Sequence, residues 1–300
     1  MLAAATPSRS QRVRTTVGAY VALTKPRIIE LLLVTTVPTQ IVAQRGMPPL
    51  WLIVATVFGG TLAAGGANAI NMYVDRDIDK LMERTKNRPL ATGAIEPRNA
   101  LIFAVALEIV AFLFLWGTVN LLSAVLAVSA CLFYVFIYTL WLKRTSTHNI
   151  VIGGAAGAVP VLIGWSSVTN SLGWAPVVLF GVIFIWTPPH YWPLAIRYRD
   201  DYAAADVPML PVLVDDKVTC RRIIAYTVAL VATTLLFAPV ADMGLTYLGA
   251  AVALGAIFLF QTVRLFVDPT PARAMRVFGY SITYVTLLFG AMAVDQLLAA

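Results

Sequence analysis

The 300-residue chain is 59% hydrophobic and only 12% charged, with a mean hydropathy of +0.80, whereas an average soluble domain carries roughly a quarter charged residues. A soluble globule cannot hide that much apolar surface from water, which excludes a soluble enzyme, a disordered regulator and a nucleic-acid binder. The formal net charge of +7 comes from basic residues set between apolar runs, the pattern of membrane orientation rather than of a nucleic-acid-binding face.

Residues 1–16 are rich in Ala, Ser, Thr and Arg and contain no acid. They read as part of a short cytoplasmic tail, residues 1–27, rather than as a cleaved signal or a mitochondrial transit peptide. Residues 28–300 read as one transmembrane domain. About 20 apolar residues are needed to cross a hydrocarbon core of about 30 Å. Nine runs meet that need, near 28–44, 50–73, 98–117, 119–142, 149–168, 173–192, 222–240, 244–266 and 276–297. The first is the weakest, interrupted by Pro38 and several threonines. With the N-terminus inside, every Lys and Arg except Arg45 falls in an inside segment, and the odd helix count puts the C-terminus outside. The expected fold is therefore an all-α membrane protein, nine helices bundled around a central cavity that opens to the cytoplasmic side. The two cysteines carry no metal or disulfide pattern: Cys131 lies in an apolar run and Cys220 in a polar loop.

The chemistry concentrates at the end of the second span, Asn68-Ala-Ile-Asn71-Met-Tyr-Val-Asp75-Arg-Asp-Ile-Asp79. Asn71, Asp75 and Asp79 follow at i, i+4 and i+8, so a continuous helix would place all three on one face over about 12 Å, with Asp77 turned away. Carboxylates one turn apart repel unless a cation lies between them. Oxygen ligands so spaced suit Mg²⁺, which completes its shell with phosphate oxygens and water. The bland alternative is a solvated helix end whose acids pair with Arg76, Lys80 and Arg84. Against it stand the small residues Ala63–Ala67 just before and the start of the polar row inside the membrane, where polar groups are costly. Arg84, Lys86 and Arg88 follow in the next loop, a basic set able to grip a diphosphate.

A second acid group, Asp200, Asp201 and Asp206, follows the sixth span. The two groups lie on the same side, four helices apart, as in a duplicated four-helix unit. A second acid group could hold a second Mg²⁺, and two metals with arginines would make diphosphate a better leaving group. His190 sits in Trp186-Thr-Pro-Pro-His-Tyr-Trp192, where Pro188 and Pro189 are expected to break or kink the helix so that the imidazole leaves its path. Glu108, near the middle of the third span, should face the bundle and either find a partner or be protonated.

These motifs carry a resemblance. Asn71-x-x-x-Asp75-x-x-x-Asp79 followed by Arg84-Thr-Lys-Asn-Arg88-Pro-Leu resembles the first signature of the UbiA-type intramembrane prenyltransferases, nine-helix proteins with two cytoplasmic acid-rich motifs. Arg84–Leu90, Asn149–Trp165 and Trp186–Trp192, with Asp201–Pro211 in support, are similar to the haem-farnesylating branch of that superfamily. The resemblance implies transfer of a farnesyl group from farnesyl diphosphate to the vinyl group of haem b, with haem b as substrate and Mg²⁺ as cofactor. It implies that Asn71, Asp75 and Asp79 hold metal and diphosphate, that Arg84 and Arg88 grip diphosphate, that Asp200 and Asp201 form the second acid site, and that His190 is the haem-side residue. It further implies a bacterial plasma membrane or mitochondrial inner membrane and a downstream haem A synthase as partner. Asp206 departs from the Gly or Asn usual in that branch, and the second acid group lacks a DxxxD spacing. Two rivals remain: a prenyltransferase of the same fold acting on a quinone precursor such as 4-hydroxybenzoate, and a non-enzymatic transporter or haem-binding membrane protein. The Pro-Pro-His stretch disfavours the first, and acid groups at a mouth rather than the midplane disfavour the second.

Overall fold

The computed structural model describes residues 9–299, and their side chains apart from those of 9–15 and 27–33. All regular structure among these residues is helical: α1 (Arg9–Leu23), α2 (Pro26–Gln44), α3 (Leu50–Val74), a 3₁₀ turn (Ile78–Lys80), α4 (Pro97–Thr118), α5 (Leu121–Leu132), a π-helix (Phe133–Leu142), α6 (Lys143–Thr145), α7 (Asn149–Thr169), α8 (Trp174–Arg197), α9 (Arg199–Ala204), α10 (Leu210–Leu213), α11 (Asp216–Val240), α12 (Leu245–Val267) and α13 (Pro271–Ala299). Boundaries follow local chemistry. Proline opens α2 and α4, where a missing N–H costs nothing. Asn120 and Asp215 cap α5 and α11 by accepting from Ser123 N and Val218 N, each at 2.8 Å. Arg45 and Asn170 close α2 and α7 in left-handed conformations.

Eight of the described helical runs are long and apolar enough to cross a membrane, with α5, the π-helix and α6 forming one of them. α2 is the ninth long helix. It has the place expected of a span, because the nine close a ring in which each packs on the next from α2 round to α13, and α13 returns to α2. The faces turned outward are apolar, as Ile102, Val105, Ile109 and Leu113 on α4 illustrate. Hydrocarbon contact is the reason such faces need no cover.

Three expectations change. Residues 9–23 of the supposed tail are helical, and Leu23 is fully buried beside Ala69 and Met72 of α3; residues 1–8 lie outside the described residues. Pro188 and Pro189 do not break α8, which runs on to Arg197, because a packed membrane bundle tolerates the carbonyls that proline leaves unpaired. Cys220 is not in a loop but buried in α11.

Small residues let the backbones meet. A Cβ on Gly66 would stand 3.0 Å from the Ala104 carbonyl of α4, and one on Gly164 of α7 would stand 2.7 Å from the Thr36 carbonyl of α2. Glu108 does turn inward, its Oε1 filling the space beside Gly66. Both carboxyl oxygens are buried, with the Cys131 thiol and the Ala67 backbone as the polar groups beside them. At the opposite end from the acid motifs, Asp295 of α13 accepts from Gly244 N at 2.6 Å and Tyr247 N at 3.1 Å. It thus neutralises the positive start of α12 across the bundle. Asp295→Ala is expected to cost about 1–3 kcal/mol by orphaning those amides, read as a lower unfolding temperature in detergent.

Candidate active site

α3 stops at Val74, short of the continuous helix expected through Asp79. Asp75 ends it, and the chain tightens into the 3₁₀ turn that carries Asp79. The polar row survives this change because the hydrogen bonds keep their step: Asp75 N donates to the Asn71 carbonyl at 2.9 Å, and Asp79 N to the Asp75 carbonyl at 2.8 Å. Asn71, Asp75 and Asp79 are 3%, 0% and 2% exposed, so the reading as a solvated helix end fails. Asp77 does point away: it is exposed and gripped by both Nη atoms of Arg144, which hold its carboxyl below the usual range.

Each buried oxygen group has a cation. Arg88 Nη1 lies 2.9 Å from both oxygens of Asp79. Lys143 pairs with Asp75 Oδ2, which also accepts from Asn71 Nδ2 at 2.8 Å. Lys25 Nζ donates to Asn71 Oδ1 at 2.8 Å. Burial, then the charges of Arg88 and Lys143, push the Lys25 pKa well down, and Asp75 and Asp79 oppose that only in part. Lys25 and Lys143 were visible in the sequence only as inside charges. Their role comes from folding: Lys25 takes a left-handed backbone before Pro26, and Lys143 follows directly on the π-helix, at the start of α6. That ten-residue stretch also turns Thr139 onto Asn71 Nδ2, at 3.2 Å, and stacks Tyr134 on Tyr138. π-helical turns often mark functional sites.

The second acid group closes on the first loop. Asp201 Oδ2 accepts from the backbone N of Arg84 at 3.1 Å, and the Arg84 guanidinium lies 6.0 Å from the rings of both Tyr198 and Tyr202. Asp200 and Asp206 are exposed. Lys86 is exposed and salt-bridged to Glu83. The structure thus gathers Asn71, Asp75, Asp79 and Arg88 into the buried cluster, joins the half-buried Asp201 to the loop of the exposed Arg84, and leaves Lys86 and Asp200 outside.

Below the cluster is a cavity of about 210 Å³, lined on α3 from Thr56 to Asn68, on α5 and the π-helix from Ala127 to Tyr134, on α7 from Ala156 to Ile163, and by Thr36 of α2. Its shallow end, at Asn68 and Tyr134, is one turn from Asn71 and Tyr138. His190 stays on α8, stacked between Trp186 and Phe278 with ring centroids 4.1 and 4.6 Å away. Ser281 Oγ gives its proton to the Phe278 carbonyl at 2.6 Å. It therefore accepts from His190 Nδ1–H at 2.7 Å, and that tautomer leaves a lone pair on Nε2.

Oxygen-only ligands fit a hard divalent ion such as Mg²⁺. Asp75 Oδ1, buried without a hydrogen-bond partner, is the orphaned group such an ion would satisfy. No group of three His, Cys, Asp or Glu converges among the described residues, so an ion there would draw on Asn71 and on ligand oxygens. Lys143→Met is expected to lower the unfolding temperature without Mg²⁺, since a buried carboxylate loses its counter-charge. Added Mg²⁺ should then raise that temperature more than it does for the unaltered chain.

The profile of the UbiA prenyltransferase family matches residues 32–289. Protoheme IX farnesyltransferase of Leifsonia xyli subsp. xyli is 55% identical over 285 residues, covering 94% of this chain and 93% of that protein. Among solved structures, digeranylgeranylglyceryl phosphate synthase superposes with a TM-score of 0.78 at 17% identity, covering 94% of this chain and 99% of that one. A UbiA homolog from Archaeoglobus fulgidus bound to GPP and Mg²⁺ superposes with a TM-score of 0.67 at 16% identity, covering 93% and 99%. With its helical ring, its buried Asn-Asp-Asp row and this full-length likeness, the chain is an integral multi-pass membrane protein that belongs to the UbiA prenyltransferase family.

Proposed function

We propose that the chain transfers the farnesyl group of farnesyl diphosphate to the vinyl group of haem b, giving haem O and diphosphate. The observation that carries the donor half is the pairing of two buried carboxylates with basic side chains at the mouth of an apolar cavity. Anionic diphosphate suits the mouth and an isoprenoid chain suits the cavity. The acceptor half is supported by the 55% identity to a protoheme IX farnesyltransferase over nearly the whole chain.

In this reading Arg88, Lys25 and Lys143 exchange their carboxylate and amide partners for diphosphate oxygens, and Arg84 approaches from the loop held by Asp201. Mg²⁺ on Asn71, Asp75 and Asp79 would neutralise charge that builds on the leaving diphosphate. Asp200 and Asp201 would serve a second ion only if Asp201 gave up its bond to Arg84 N. The C1–O bond of the donor breaks, C1 bonds to the terminal vinyl carbon, and the cation beside the pyrrole takes the oxygen of water and sheds a proton. Tyr134 and Tyr138 line the space where positive charge develops, and their ring faces stabilise it. The dry apolar walls keep water from quenching it early.

His190 is the haem-side residue. Its Nε2 lone pair suits iron, and the Ser281 contact fixes the ring as a supporting hydrogen bond does for a metal-bound histidine. The charge bias of the loops supports an N-terminus in the cytoplasm and a C-terminus outside a bacterial plasma membrane, and the haem O product would pass to a haem A synthase.

Purified protein with farnesyl diphosphate, Mg²⁺ and haem b should yield farnesylated haem by mass spectrometry, and Asp75→Asn should abolish it while keeping a monodisperse fold. Turnover of 4-hydroxybenzoate without turnover of haem would refute the acceptor. For His190→Ala, the visible spectrum of bound haem should lose its histidine-ligated features; an unchanged spectrum would remove His190 from the iron.

A further inference from the structure

Two cavity glycines differ from the glycines that serve packing. Gly59, Gly154 and Gly164 have their missing side chains replaced by neighbours: an added Cβ would meet Leu115 at 2.4 Å, Thr187 at 2.8 Å and the Thr36 carbonyl at 2.7 Å. Gly60 of α3 and Gly157 of α7 also lie inside packed helices, yet an added Cβ on either would meet nothing within 4 Å. Both line the cavity. Helix packing does not account for glycine at these two positions. Open space for an occupant does.

The two stand at different depths. Gly60 is eleven residues from Asn71, about 16 Å along the α3 axis. Gly157 is one turn beyond Gly153, whose Cβ position meets the Tyr138 ring, so it is much the shallower. An extended carbon chain advances about 1.2 Å per bond, as the polypeptide backbone does. From a C1 atom level with Asn71, the eleven bonds of a farnesyl main chain reach about 13 Å and end just short of Gly60. The fifteen bonds of a geranylgeranyl chain reach about 18 Å and pass it. Beyond Gly60 the cavity lining includes Thr56 and Thr36, and Thr56 is tied to Gln40 Nε2 at 3.1 Å and through it to Ser167 at 2.9 Å. An apolar tail gains nothing by reaching that polar floor.

We infer that Gly60 and Gly157 are specificity-determining residues that set the isoprenoid length the cavity accepts, Gly60 receiving the end of a three-isoprene chain and Gly157 giving passage to its middle. This rests on the proposed donor site and is independent of the acceptor. A side chain at either position would shorten the cavity from its own depth.

The test measures binding of the unreactive thiolodiphosphates of dimethylallyl, geranyl, farnesyl and geranylgeranyl alcohols, with Mg²⁺, by calorimetry on the full chain in detergent. Leucine favours helix over glycine, and binding of the shortest donor reports that each variant is folded. In Gly60→Leu the ratio of farnesyl to geranylgeranyl affinity should rise about tenfold or more, and in Gly157→Leu the fall should begin at a shorter chain, with a similar rise in the ratio of the shorter donor to farnesyl. Affinities that change equally at all four lengths, or a cut-off that is the same or reversed between the variants, would overturn the inference. Because no acceptor is present, a failure to farnesylate haem leaves these affinities readable, so the two claims fail separately.

Discussion

Two carboxylates removed from water at a membrane surface must be neutralised, and that requirement organises the basic end of the molecule. Asp75 and Asp79 are almost wholly buried. An unpaired charge there would cost several kcal/mol, so cations from three separate segments converge on them: Arg88 from the following loop, Lys143 from beyond the π-helix and Lys25 through Asn71. The same arrangement leaves Asp75 Oδ1 without a hydrogen bond, with the Arg144 guanidinium 3.9 Å away. A buried carboxylate oxygen so placed suits a ligand that brings both a divalent ion and its counter-anion. The basic residues that stabilise the empty cluster are then already in place for the anion.

The rest of the ring gives that cluster its depth. Close glycine contacts draw α3 onto α4 and α7 onto α2, while the space between α3, α5 and α7 stays open. Dense packing on the outer side of α3 and vacancy on its inner side let one helix serve as both scaffold and cavity wall. A polar mouth over a dry channel separates the two halves of a prenyl diphosphate by chemistry, charge at the surface and hydrocarbon beneath it. His190 occupies a different wall, between α8 and α13. Aromatic stacking and Ser281 fix its orientation, and the Pro188-Pro189 pair before it leaves the helix intact.

Several particulars were legible in the residues alone. Nearly continuous apolar runs announced the spans, because a bilayer demands them. The spacing of Asn71, Asp75 and Asp79 announced a shared face, and burial of all three agrees. The reason given was incomplete, since the helix ends at Val74 and a tighter turn carries Asp79. Lys25 and Lys143 could not be recognised, because each is separated from its partner by more than 40 residues and looks like any other inside-loop charge. Lys86 and Asp200 looked equivalent to their neighbours and are exposed, since side-chain direction in a loop follows contacts that no local period encodes.

Composition and periodicity determined the solvent, the helical class, the charge bias across the membrane and the oxygen-rich row, for these depend on residue type and on spacings shorter than two helical turns. Tertiary structure alone decided which cations neutralise which carboxylates, that Asp201 binds a backbone amide, that His190 presents Nε2, and which glycines open on empty space. Those outcomes depend on which helix packs beside which, a matter of long-range closure. The chain meets it only once the ring has formed.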